Sequence, residues 1–163
     1  MNFHEGDSVM HWTYGLGKVV RLEERALFGQ KTMYYAVQIR DMTVWVPADG
    51  MLESRLRPPT FETEFKALIN ILSGPAEHLP ADHHERKLLL LQWLKNGRAD
   101  SLFRVIRSLF AYRKVHHLNE NDQAILKRSQ NALTGEWGFA LSITPAQAEL
   151  DLQRLLTTES AGE

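Results

Sequence analysis

The proline pair Pro58-Pro59 divides this chain into two segments of different periodicity, and that break limits the possible folds more than any other feature. Before it, short apolar runs alternate and are rich in β-branched and aromatic residues, which predicts strands over 8–12, 18–23, 32–38, 43–46 and 52–56. Gly15 and Gly17 are expected to bracket a tight turn between the first two strands. Phe28-Gly29-Gln30 turns the second strand into the third, and Arg40-Asp41 the third into the fourth. Five short antiparallel strands in so few residues predict a small, strongly curved barrel. Alone it is marginal in size and must lean on the second half of the chain.

After Pro59 every signal is helical. Thr60 is placed to cap a helix ended by Ser73-Gly74-Pro75. Asp82 with Glu85 opens a second, stopped by Asn96-Gly97. A third, over 99–116, carries Leu102, Phe103, Ile106, Leu109 and Phe110 at helical spacing, so one stripe is core. Asn119 with Asp122 starts a fourth that is expected to reach about Leu133. Thr144-Pro145 with Gln147 starts a fifth. The fold class expected is α+β: a five-stranded antiparallel barrel over 1–58, then an all-α bundle of about five helices over 59–163.

The chemistry-bearing residues are sparse. Without cysteine, disulfides, thiol nucleophiles and cysteine metal sites are excluded. His83-His84 and His116-His117 are adjacent pairs that point about 100° apart on a helix and do not converge on a metal. Gly15-Leu16-Gly17 lacks the third glycine and following helix of a dinucleotide site. No nucleophile is spaced to meet a base. The chain is therefore expected not to be an enzyme, and to need no cofactor and no small-molecule substrate. No charged-then-apolar leader opens it, and no apolar run approaches the roughly 20 residues of a membrane span. A cytoplasmic location away from membranes is the expectation.

Positive charge, by contrast, is concentrated. Between 86 and 128 lie Arg86, Lys87, Lys95, Arg98, Arg104, Arg107, Arg113, Lys114, Lys127 and Arg128, opposed only by Asp100, Glu120 and Asp122. Ten against three gives that stretch +7 inside a chain of net charge -1. Cations gathered on helices are the footprint of a protein that meets a polyanion, although solvated helical faces carry them too.

Several motifs stand in register along nearly the whole chain. They begin with Phe3, Gly6-Asp7 and Val9, then Gly15-Leu16-Gly17, Tyr34-Tyr35 and Thr43-Val44-Trp45-Val46-Pro47. They continue with the stretches 91–100 and 105–110, Leu118-Asn119, Leu126, Leu133 and Gly135-Glu136. Together these resemble the CarD/CdnL family of bacterial RNA polymerase-binding transcription regulators, whose N-terminal barrel is shared with the transcription-repair coupling factor. The helical motifs are what favour CarD/CdnL over the coupling factor.

The resemblance implies a Tudor-like barrel that docks on the β-subunit of RNA polymerase by extending its sheet. The implied contact residues are Arg25, Val44, Trp45, Val46 and Pro47. Trp45 replaces a basic residue of the family, either as an aromatic anchor or as simple packing on the barrel. The resemblance also implies that the helical domain sits at the upstream edge of the promoter bubble, with His83, His84, Arg86, Lys87, Arg104 and Arg107 as DNA-contact candidates. His83 stands where members place a tryptophan wedge, and Gln123 where they often carry a lysine. An imidazole cannot unstack a base step as an indole does, so promoter contact is expected to be weakened. The alternative is an adaptor that binds polymerase or another protein and leaves DNA alone.

Overall fold

The structure, a computed structural model, describes residues 2–158; residues 1 and 159–163, at the ends of the two expected domains, lie outside it. Five strands come first: β1 Ser8–His11, β2 Gly15–Leu27, β3 Gln30–Ile39, β4 Met42–Pro47 and β5 Leu56–Arg57. They form one antiparallel sheet in the order β4-β3-β2-β1-β5. Five helices follow: α1 Glu62–Leu68, α2 His83–Lys95, α3 Ser101–Val115, α4 Glu120–Leu141 and α5 Pro145–Thr157. The class is α+β, sheet first and helices second, as expected. Among the described residues the edge strands β4 and β5 do not pair with each other, so the expected barrel is left open.

The local departures have physical reasons. The segment 52–56, expected as a strand, is a short 3-10 turn at Leu52–Ser54 followed by the two residues of β5. Leu52 and Leu56 are both buried in the sheet core, and a single tight turn presents them to it as well as a strand would. The first turn lies at 12–14, so Gly15 and Gly17 are in β2 rather than in the turn. Thr60 caps nothing: α1 begins after Phe61 and passes into a 3-10 turn at Ile69–Ser73. In α4 the Asn119–Asp122 capping box forms in both directions. The helix runs past Leu133 to Leu141, because packing against α3, α5 and β2 outweighs the modest propensity cost of Gly135 and Gly138. It ends at Ser142 in the left-handed conformation.

Two apolar clusters form, and they meet. One lies within the sheet, around Val9, Val37, Ile39 and Val46. The larger lies among the helices, with Phe65, Phe103, Ile106, Leu109 and Leu133 fully buried. The expected α3 stripe is all core. Met10 and Leu16 of the sheet and Trp12 of the first turn reach into the helical cluster, which answers the small sheet's need for support.

Close approaches seat one half on the other. Gly15, at φ +88°, lies so near α4 that a Cβ there would sit 3.0 Å from the Ala132 Cα. Gly97, at φ +74°, leaves no room for a Cβ, which would lie 2.5 Å from the Glu53 carbonyl oxygen. Between them, Arg57 of β5 donates to both oxygens of Glu136 on α4 at 2.6 and 2.8 Å, and the Thr60 amide donates to the same carboxylate at 2.9 Å. Glu136 is fully buried.

His11, at the end of β1, shapes the first turn. Its Nδ1 accepts the Thr13 and Tyr14 amides at 3.1 and 3.2 Å, and its ring stacks on Tyr14. Burial pushes its pKa down from 6.5 to about 4. Below pH 6.5 the unfolded chain takes up a proton that the folded one refuses, so stability is lost as pH falls through that window and the loss levels off near pH 4. We expect His11 to contribute up to about 3 kcal/mol to that loss. His11→Asn keeps an acceptor for the turn but cannot titrate. Urea unfolding of both proteins at neutral pH and near pH 4 should show the variant losing less. Equal losses would mean that His11 is not the acid-sensitive group.

Candidate functional site

The outer face of the sheet carries a built cluster. Antiparallel register places Arg21, Ala36 and Trp45 in one row across β2, β3 and β4, with Glu23, Tyr34 and Pro47 in the next and Arg25 opposite Thr32 beyond. Ala36 is small enough to let its neighbours meet above it, and it is completely covered. Arg25 lies over the Trp45 ring with its guanidinium 3.8 Å from the centroid, and Arg21 lies at 5.0 Å. Arg21 also donates to Glu23 at 2.9 Å, and Arg25 approaches the same carboxylate at 3.9 Å. The hydrogen bond from Arg21, helped by the charges of both arginines, holds the Glu23 carboxyl below the usual range. The result is an ordered, half-exposed platform of one indole and two guanidiniums. It is suited to receive a partner's carboxylate or an aromatic ring.

Strand alternation sorts the five expected contact residues. Arg25, Trp45 and Pro47 belong to the outer face. Val46 does not: it is 1% exposed and part of the sheet core, so its side chain is unavailable to a partner. Val44 packs against the same core. The backbone of both lies on β4, an edge strand of the sheet, which is the kind of place where an added strand can pair.

The basic residues of the helices are sorted more sharply. Arg86, a DNA candidate by its sequence position, is 3% exposed. Its Nε and Nη2 donate to the two oxygens of Asp122 at 3.0 and 2.8 Å. Nη1 reaches the Pro80 and Ala81 carbonyls and the Tyr112 hydroxyl. With every nitrogen engaged inside the bundle, Arg86 cannot serve as a surface contact. Arg107 is likewise 3% exposed and donates to the Gly74 carbonyl at 2.6 Å, so it too is removed from the expected DNA face. Arg104 donates through Nε and Nη2 to the Glu77 carboxylate and lies 4.6 Å over Trp93. His83 and His84 are exposed in the first turn of α2, and Lys87 follows half-buried. Of the six expected DNA residues, these three are presented to solvent without an ion-paired carboxylate among the described residues, and Arg104 is half-buried and paired with Glu77.

A different basic surface was not foreseen. Arg40, in the β3–β4 turn, faces Lys127 and Arg128 of α4 across a cleft of about 320 Å³ that also takes in Thr13, Tyr14 and Asn131. The sequence showed each cation, but only the seating of the first turn on α4 brings Arg40 to the other two. Among the described residues no helix is long and apolar enough to cross a membrane.

A small antiparallel sheet with an ordered outer face and an open edge, seated on a helical bundle, has the form of a protein-docking module. Residues 3–58 match the family described as the CarD-like/TRCF RID domain. In this part the chain is similar to that family, and its sheet is an RNA polymerase-interacting domain of that type. The match stops where β5 ends and the helices begin.

Proposed function

We propose that this protein is a CarD-like regulator of transcription initiation: the sheet docks on the β-subunit of bacterial RNA polymerase, and the helical domain is held against promoter DNA at the upstream junction. It works by binding, without a catalytic step or cofactor, in the cytoplasm where polymerase acts. The observation that carries this reading is the Trp45–Arg25–Arg21 platform beside the open β4 edge, within a domain of the RNA polymerase-interacting type. An incoming strand would pair along β4, while the platform supplies a fixed aromatic and cationic anchor next to it. The DNA contact is weakened. The first turn of α2 offers His83 rather than an indole, and Arg86 and Arg107 are occupied inside the bundle. The adaptor alternative shares the docking face and differs only in leaving DNA untouched.

Arg25→Glu should weaken binding to the isolated β-subunit lobe at least tenfold, about 1.4 kcal/mol, because it puts a carboxylate over the Trp45 ring and beside Glu23. The position is half-exposed, so the fold should persist. Titration of the lobe with both proteins checks this. Unchanged affinity in a folded variant removes the platform from the interface.

A further inference from the structure

We propose that the cleft at the junction of the two domains is a seat for backbone phosphates of duplex DNA, so that the sheet domain itself holds DNA together with α4. This rests on the promoter-binding reading above and gives it a site that the motifs did not indicate. Three observations carry it.

The first is the pairing of the cations. Arg57, Arg86 and Arg104 are each tied to a carboxylate, whereas among the described residues Arg40, Lys127 and Arg128 form no ion pair. Three like charges converge from two domains on one cleft with no ion-paired carboxylate beside them, which is unfavourable unless an anion occupies it. Thr13 and Asn131 line the same cleft and add neutral groups able to donate to a phosphate.

The second is the backbone at Arg40. It sits at φ +55°, in the left-handed region where glycine or asparagine is the less strained choice for a turn. An arginine held there keeps a charge at a small conformational cost. Strain of this kind collects at functional positions.

The third is continuity. A second groove of about 540 Å³ shares Lys127 and Asn131 with the first and continues to Arg113, His116 and His117, with Glu149 as the one carboxylate among its described lining residues. A single small anion would satisfy one cleft. Two adjoining clefts with cations along them match the repeated charge of a nucleic-acid backbone. The seat is also preformed, since Gly15 against Ala132 and Arg57 on Glu136 fix the sheet on α4. It lies at the β3–β4 turn, whereas Arg25 lies towards the β2–β3 turn, so DNA and polymerase need not compete.

The test is a salt titration of duplex DNA binding by the full chain, from about 50 to about 200 mM, for the native protein and three variants. Arg40→Asn removes the charge and relaxes the turn, Lys127→Gln/Arg128→Gln removes the other two charges, and Arg40→Lys retains charge. We expect a native log-log slope of about -3, lowered in magnitude by about 0.9 for each phosphate that a variant no longer neutralises. Affinity at the lowest salt should fall roughly tenfold for Arg40→Asn and further for the double variant, and Arg40→Lys should recover most of the slope. Variants that bind as the native protein does, with an unchanged slope, overturn the cleft while leaving the promoter reading standing. A native protein that holds the β-subunit lobe but binds no DNA at the lowest salt overturns the promoter reading and the cleft with it. Tighter binding of single-stranded RNA than of duplex overturns the choice of occupant.

Discussion

Asp122→Ala should destabilise the protein by about 3–5 kcal/mol, as read from urea unfolding. Asp122 is 1% exposed and is the carboxylate paired with the buried Arg86 guanidinium, which stays charged because the hydrogen bonds from Arg86 to Asp122 raise its pKa further above its ordinary value. Removing the carboxylate leaves that charge facing two carbonyls, a tyrosine hydroxyl and an empty space. The same substitution cuts the Asn119 amide out of the α4 capping box, where Asp122 Oδ2 accepts it at 3.1 Å. Replacing the pair together, Arg86→Met with Asp122→Leu, should recover most of the loss, since an apolar pair of similar volume avoids the uncompensated charge. That double variant should also bind DNA as the native protein does, because Arg86 is not at the surface. A loss below about 1 kcal/mol for Asp122→Ala would show that water reaches the pair.

The same residues show what the sequence could and could not convey. Periodicity is local, so the α3 stripe, the Asn119–Asp122 cap and the turns at Phe28-Gly29 and Arg40-Asp41 were all legible. Charge is legible too, but its destination is not. Arg86 looked like one of ten surface cations, although a signal was present: it precedes Leu90 and Leu94 at intervals of four, on the buried face of α2. Read as part of that stripe, it needed an internal acid, and Asp122 was available. Arg57 with Glu136, and Arg40 with Lys127 and Arg128, left no such trace. Each joins elements far apart in the chain, and nothing in either neighbourhood encodes the meeting. The platform stood between these cases. Arg25 and Trp45 were both singled out, but their contact follows from the β2–β3–β4 register and from the small Ala36 between the strands. The same register turned Val46 inward.

Glu136→Ala should separate the unfolding of the two halves. In the native protein the Glu136 carboxylate is fully buried and takes two bonds from Arg57 and one from Thr60, so it joins β5 and the segment entering α1 to α4. Its loss leaves a guanidinium and an amide without their acceptor. Arg57 retains 15% exposure and can recover some hydration, so the cost should fall near the lower end for a broken buried pair, about 3 kcal/mol. Most of that cost falls on the attachment of the sheet, which is too small to persist well without its support. Trp45 reports on the sheet and Trp137 on the helical core, and their indole resonances can be followed separately through a urea titration. In the native protein both should disappear together; in the variant Trp45 should disappear at a clearly lower concentration. Glu136→Gln, which keeps an acceptor for Arg57 and Thr60 but not the charge, should lie between the two. Disappearance of both signals in one step, at a shared lower midpoint, would mean that the apolar packing of Met10, Trp12 and Leu16 on the helices holds the halves together and the ion pair only adds to it. In that case Glu136→Ala would leave the junction cleft intact, and DNA binding would survive the substitution. If the sheet detaches first, Arg40 moves away from Lys127 and Arg128, and the salt slope for DNA should fall along with the Trp45 signal.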